Sequence, residues 1–263
     1  MPPRRRQDKN TTLKRKMIAT LPPPCIPASQ LLPRLQQLGY AVLNADTVAE
    51  QAGVALAALY ALAPAWDDLP PDQYLKDGGR YRRRRHACFV FQNGTVAQVA
   101  HRAHWQPLEY NALHGGMLRW FEPILPDTVA QAGFSALLGW LGVVASLLKG
   151  PQPWFIEAHL FRIDTTDGIG RPTPEGAHRD GVDLVAVFMV GRQGVKGGET
   201  RVFEATGPNG QRFTLSEPWS VLLLDDARVI HESTPIQPLV AGGHRDTLVI
   251  TLRAGGFQEI TPL

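Results

Sequence analysis

Beyond Gly150 the chain breaks into seven short apolar runs, and no other feature limits its fold as much. They are Trp154–Ile163, Leu184–Val190, Glu199–Glu204, Arg212–Leu215, Ser220–Leu224, Arg228–His231 and Thr247–Leu252, divided by Gly, Pro, Asp and Asn. Runs of this length with turn residues between them predict strands, arranged as a β-sandwich or jelly roll. Glycine and proline, 25 and 22 of 263 residues, are too frequent for a helical bundle or a coiled coil.

The first half reads differently. Leu31, Leu32, Leu35 and Leu38 recur at helical spacing until Gly39 ends the turn. Residues 28–62 therefore read as helical, interrupted by a short strand at Tyr40-Ala41-Val42-Leu43, with Val48 to Leu62 continuing through Gly53. Tyr81 to Gln92 alternates loosely and predicts a strand. Residues 126–149 give the clearest helix, with Val129, Phe134, Leu137, Leu138, Leu141 and Val144 on its apolar face. Helices first and strands after make the fold class α+β, not alternating α/β. Residues 26–263 read as a single domain and residues 1–25 as a flexible basic arm.

The arm distorts the charge. Residues 1–16 hold seven Lys or Arg against Asp8, a net of +6, while the whole chain is +3, so the remainder carries −3. A slightly acidic body argues against a nucleic-acid partner, despite the basic run Arg82-Arg83-Arg84-Arg85. No stretch approaches the roughly 20 apolar residues of a membrane span, and Met17 to Leu21 is too short for a signal core. The expectation is a cytoplasmic protein that takes a small-molecule substrate, with its oligomeric state open and a homodimer among the options. Cys25 and Cys88 are too few for a disulfide framework or a Cys-rich zinc site. Any metal must use His and carboxylates.

His178-Arg179-Asp180 supplies such a pair. On a strand, residues two apart share a face, so one imidazole and one carboxylate can reach a common point. A third ligand must come from another strand, and His231, 51 residues after Asp180, ends an apolar run. Two imidazoles and one carboxylate suit non-haem Fe(II) with open coordination positions. Fe(II) beside one carboxylate keeps a net positive charge and attracts an anion. Arg245, 14 residues after His231, shares a face with Thr247 and could receive the far carboxylate of 2-oxoglutarate.

These residues resemble the 2-oxoglutarate/Fe(II)-dependent dioxygenases, and more closely a bacterial subgroup of the L-isoleucine 4-hydroxylase type that includes the BsmA-like proteins. The resemblance rests on His178-Arg179-Asp180-Gly181-Val182-Asp183, Lys196-Gly197-Gly198-Glu199-Thr200, Asp225-Asp226 and Gly243-His244-Arg245-Asp246. Tyr110-Asn111 with Gly115-Gly116, and His159-Leu160-Phe161-Arg162, add to it. It covers roughly residues 80–253 and implies a double-stranded β-helix core, a cupin-like jelly roll, with N-terminal and flanking helices. It further implies that His178, Asp180 and His231 hold Fe(II), that Arg245 and Thr247 bind 2-oxoglutarate, and that O2 is consumed with release of succinate and CO2. The implied reaction hydroxylates or sulfoxidises a small polar substrate, a free L-amino acid, with a role in stress or biofilm behaviour. Candidates for its binding are His159, Arg162, Arg82 and Glu109. His159 and Arg162, three apart on one strand, face opposite ways, so only one can enter a pocket. Two other readings remain: a cupin-like metal enzyme without 2-oxoglutarate, for which Arg245 has no purpose, and a non-catalytic ligand-binding protein.

Overall fold

The structure, a computed structural model, describes residues 21–260. The basic segment of residues 4–16 lies outside them. The N-terminal helices are α1 (Leu31–Leu38), α2 (Ala45–Ala52) and α3 (Leu56–Tyr60), with β1 (Tyr40–Leu43) between the first two. The helix expected to run through Gly53 is two helices instead. Gly53 takes φ 70° and caps α2, a left-handed conformation that glycine alone adopts at no steric cost. The segment 126–149 is likewise split into α4 (Pro126–Val129) and α5 (Ala132–Lys149), because Gln131 adopts extended backbone as the cap of α5.

The remaining strands are β2 (Arg82–Gln92), β3 (Thr95–Gln98), β4 (Trp154–Asp164), β5 (Leu184–Gln193), β6 (Val195–Gly197), β7 (Thr200–Glu204), β8 (Gly210–Phe213), β9 (Val221–Asp225), β10 (Val229–Ser233), β11 (Ile236–Pro238) and β12 (His244–Ala254). The seven runs read after Gly150 all become strands. β3, β6 and β11 went unread. β3 had a local signal: Asn93 and Gly94 both take positive φ, 51° and 78°, the two-residue hairpin turn that Asn-Gly favours.

An antiparallel sheet of seven strands runs in the order β1-β9-β5-β12-β4-β2-β3. A smaller sheet, β10-β7-β8, lies opposite, and β11 pairs with β6. This is the two-layer jelly roll of an α+β chain. Strand alternation divides the large sheet into two faces. On β4, Trp154, Ile156, Ala158 and Leu160 bury against the helices, joined by Leu248, Ile250 and Leu252 of β12 and by Phe134, Leu137 and Leu141 of α5. α5 is apolar and long enough to cross a membrane by length and composition, yet half of its residues are buried in this layer. The opposite face of the sheet splits again. Towards β9 it is dry, with Val185, Met189, Leu222 and Leu224 packed on Val202, Phe213 and Val229. Towards β2 and β4 it opens into a polar cavity.

Candidate active site

The cavity encloses about 950 Å³, its open mouth included. Its floor is the inner row of each central strand: Arg82 and Arg84 from β2, Glu157, His159, Phe161 and Ile163 from β4, and Arg245, Thr247, Val249 and Thr251 from β12.

His178 and Asp180 do not lie on a strand, as their spacing suggested, but in a loop that touches β10 at one point. The backbone N–H of His178 donates to His231 O at 3.0 Å, and the N–H of His231 donates back to His178 O at 2.9 Å. That pairing sets the two imidazoles side by side, with ring centroids 4.7 Å apart. Asp180 completes the group: its carboxylate oxygens lie 3.6 Å from His178 Nε2 and 3.8 Å from His231 Nε2. One donor atom from each of the three residues falls within 4.8 Å of the others.

The loop is held by a carboxylate. Asp226 accepts hydrogen bonds from the successive N–H groups of Asp180 (3.0 Å), Gly181 (2.8 Å) and Val182 (3.2 Å). Burial, together with the nearby Asp180 charge, pushes the Asp226 carboxyl up to about 6, against the pull of those three N–H groups. Asp225 is turned the other way, onto Lys149 Nζ at 2.8 Å. Asp183 is also turned from the cavity and accepts from the Ala254 N–H.

The donor set fits a metal. His178 Nδ1 donates to Gly176 O at 2.9 Å, which fixes the tautomer and leaves Nε2 as the ligand atom. His231 Nδ1 is buried without a partner. Burial opposes charge on His178, but the adjacent Asp180 carboxylate outweighs it and raises the imidazole to about 10. A cation, proton or metal, is thus favoured between these groups.

Arg245 is 3% exposed, and among the described residues its Nε has no partner and no carboxylate lies within salt-bridge distance of it. Burial and the nearby Arg192 guanidinium lower it to about 10. Thr247 follows it on the same face despite a bulge between β12 and β5 at Asp246/Thr247.

Of the four residues expected at the substrate, His159 and Arg82 line the cavity. Arg162 does not: it faces the other side of β4, where Asp246 accepts from its Nε and Nη2 at 2.8 Å each and Asp67 lies 3.4 Å away. Glu109 is exposed in a turn and is not part of the wall. Within the Arg run, alternation buries Arg82 and Arg84 and sends Arg83 and Arg85 outward to Asp164 and Asp68.

Several cavity residues escaped sequence reasoning. Arg84 donates to His159 Nδ1 at 2.7 Å and is sandwiched between Phe121 and Phe161, 3.6 and 4.3 Å from its guanidinium carbon. The imidazole of His159 is therefore neutral, and burial with the Arg84 charge holds its pKa well below the usual histidine range. His86 stacks on His159 with centroids 4.6 Å apart. Glu157 accepts from His104 Nδ1 at 2.9 Å and lies 3.4 Å from His86 Nε2. Burial favours the neutral acid, but these N–H groups keep Glu157 ionised, well below the usual carboxylate range. His101, three residues from His104, points away and donates to Phe121 O. Together His86, His104, Glu157 and His159 also bring donor atoms within 4.8 Å of one another. Hydrogen bonds among them and the guanidiniums of Arg84 and Arg119 oppose a second cation there. The only local hint of this row was period-two alternation around His159, which places Glu157 beside it.

A jelly roll that gathers two imidazoles and a carboxylate in one cavity, with an unpaired guanidinium on its floor, is the scaffold of a non-haem iron oxygenase. The chain belongs to the 2OG-Fe dioxygenase family, which it matches over residues 63–251, and is an Fe(II)/2-oxoglutarate-dependent dioxygenase that consumes O2. The crystal structure of a BsmA homologue from Methylobium petroleophilum PM1 is similar at 55% identity and TM-score 0.85, covering 89% of this chain and 96% of its own. That of IDO from Bacillus thuringiensis shares the fold at 15% identity and TM-score 0.70, covering 88% of this chain and 95% of its own. The Fe(II)/α-ketoglutarate-dependent dioxygenase TqaL does so at 20% identity and TM-score 0.66, covering 89% and 91%. No curated protein sequence matches the chain.

Proposed function

We propose that this oxygenase oxidises a free L-amino acid or a closely similar small polar molecule, using His178, Asp180 and His231 to hold Fe(II) and Arg245 with Thr247 to hold the C5 carboxylate of 2-oxoglutarate. One observation carries the reading: the three donor groups meet within 4.8 Å in the same cavity as a buried guanidinium that has no carboxylate of its own among the described residues.

Iron bound with 2-oxoglutarate supplies O2 activation, coupled to the loss of CO2 and the release of succinate. The protein's residues do the rest. Asp226 fixes the loop that presents His178 and Asp180, and Gly176 O orients the His178 ring. Arg245 and Thr247 orient the co-substrate and neutralise its far end. The wall formed by Arg82, Arg84, Arg119, Glu157 and His159 carries both signs of charge in a volume suited to a small molecule. A free amino acid has both signs and is small. A cupin-like enzyme without 2-oxoglutarate would leave Arg245 buried and unneutralised for no purpose.

The test is a screen of the twenty free L-amino acids with enzyme, Fe(II), 2-oxoglutarate and O2. The reading expects one or a few to stimulate succinate release and to gain 16 mass units. Stimulation by none of them would refute it.

A further inference from the structure

Four arginines line the cavity: Arg82, Arg84, Arg119 and Arg245. Asp72 serves two of them, lying 2.7 Å from Arg82 Nε and 3.8 Å from Arg84. Among the described residues, Arg119 and Arg245 have no carboxylate within 4.0 Å. Arg245 is the proposed seat of one carboxylate. Arg119 presents the same physical problem, a buried guanidinium on the cavity wall with no carboxylate against it.

Arg119 is 2% exposed, and its Nε is buried without a partner. Among the described residues its guanidinium makes one hydrogen bond, from Nη2 to the neutral Gln106 Oε1 at 2.8 Å. Asp72, Glu175 and Glu157 act on it only at longer range, and burial with the Arg82 charge lowers it to about 10. Stability alone would not select this, since a buried charge without a counterion is costly and an apolar side chain of similar volume would serve packing better. A bound anion reverses the cost. The planar fork of a guanidinium matches the two oxygens of a carboxylate. Its place in the site is also suggestive: Gln106, which holds Arg119, also donates from Nε2 to Asp180 Oδ1 at 3.4 Å. Arg119 thus stands two hydrogen bonds from a proposed iron ligand.

We propose that Arg119 is the receptor for a carboxylate of the oxidised substrate, so that the enzyme selects small carboxylic acids and rejects their neutral amides. This rests on the oxygenase reading of the cavity but not on the substrate being an amino acid.

The probes are propionate and propionamide, titrated calorimetrically into anaerobic, Fe(II)-loaded enzyme saturated with 2-oxoglutarate, so that Arg245 is already engaged. Wild-type enzyme should bind propionate at least about tenfold more tightly than propionamide, because only the acid makes a charge-assisted pair. Arg119→Gln should lose roughly 30-fold in propionate affinity and the preference with it, and Arg119→Lys should recover part of both. Equal binding of acid and amide by the wild type, which requires no variant to fold, would overturn the proposal. So would failure of propionate to bind, as expected if Glu175 swings in as an internal counterion, or unchanged propionate affinity in Arg119→Gln. The two readings fail separately. If no amino acid is oxidised but propionate binds through Arg119, the amino-acid reading falls and this one stands. If an amino acid is oxidised but its amide serves equally well, this one falls.

Discussion

The two faces of β4 show opposite solutions to burial. Trp154, Ile156, Ala158 and Leu160 point to the helices and are at most 1% exposed. Each gains free energy simply by leaving water, at about 25 cal/mol per Å² of apolar surface. Glu157, His159, Phe161 and Ile163 point the other way and are buried nearly as deeply, except for the half-buried Phe161, but two of the four are polar. The burial of those two has to be offset partner by partner, His104 for Glu157 and Arg84 for His159, as Asp72 does for Arg82 on the neighbouring β2. The outer face is explained by packing alone. The cavity on that side holds two guanidiniums, Arg119 and Arg245, with no carboxylate within 4.0 Å among the described residues, and a residue that packing does not explain is the place to look for a ligand.

The sharpest way to break this contrast is to remove a proposed metal donor of the cavity and an outer-face anchor in parallel. His178→Ala should abolish Fe(II)-dependent succinate formation, while the melting temperature of metal-free protein moves by no more than about 3 °C, as for a partly exposed residue outside the core. Retained turnover would remove His178 from the iron.

Trp154→Ala should do the reverse. Its ring is fully buried, and truncation should cost about 3–5 kcal/mol in urea unfolding, with the residual folded fraction still binding Fe(II). A loss below about 1 kcal/mol would show that this layer relaxes without cost and that the outer face is not the stabilising one.

A smaller effect separates positioning from ligation. Asp226 touches no proposed ligand atom but fixes three successive N–H groups of the His178–Val182 loop. Asp226→Asn should weaken Fe(II) binding about 10–100-fold, the usual reach of a residue that orients metal ligands, with the fold intact by circular dichroism. Unchanged affinity would mean the loop holds its shape unaided.

Much of the architecture could be read from the chain because strands announce themselves locally. Turn residues bounded all seven runs after Gly150, and period-two alternation placed Arg245 and Thr247 on one face. His178 and Asp180 came together with His231 for a reason other than the one given: a single bridge to β10 aligns them, not a shared strand. What stayed hidden depends on contacts between distant segments. Arg119 sits in an irregular stretch with no periodicity, and only its backbone pairing with His104, at 2.9 Å in each direction, carries it to the cavity wall. Glu109, a substrate candidate in the sequence, is turned to solvent. Arg162 was the harder case. Its neighbours on β4 line the cavity, and only the register with Asp246 on β12 shows that it faces the other way.

The central claim is that His178, Asp180 and His231 share one iron while Arg245 awaits the far end of 2-oxoglutarate in the same cavity. The visible charge-transfer band that appears when 2-oxoglutarate chelates Fe(II), followed anaerobically, reads both halves at once. The account predicts saturation at one Fe(II) per chain in the wild type, no band in His178→Ala, and a requirement for roughly 30-fold more 2-oxoglutarate in Arg245→Ala. A band of undiminished intensity in His178→Ala, or an unaltered 2-oxoglutarate requirement in Arg245→Ala, would contradict it.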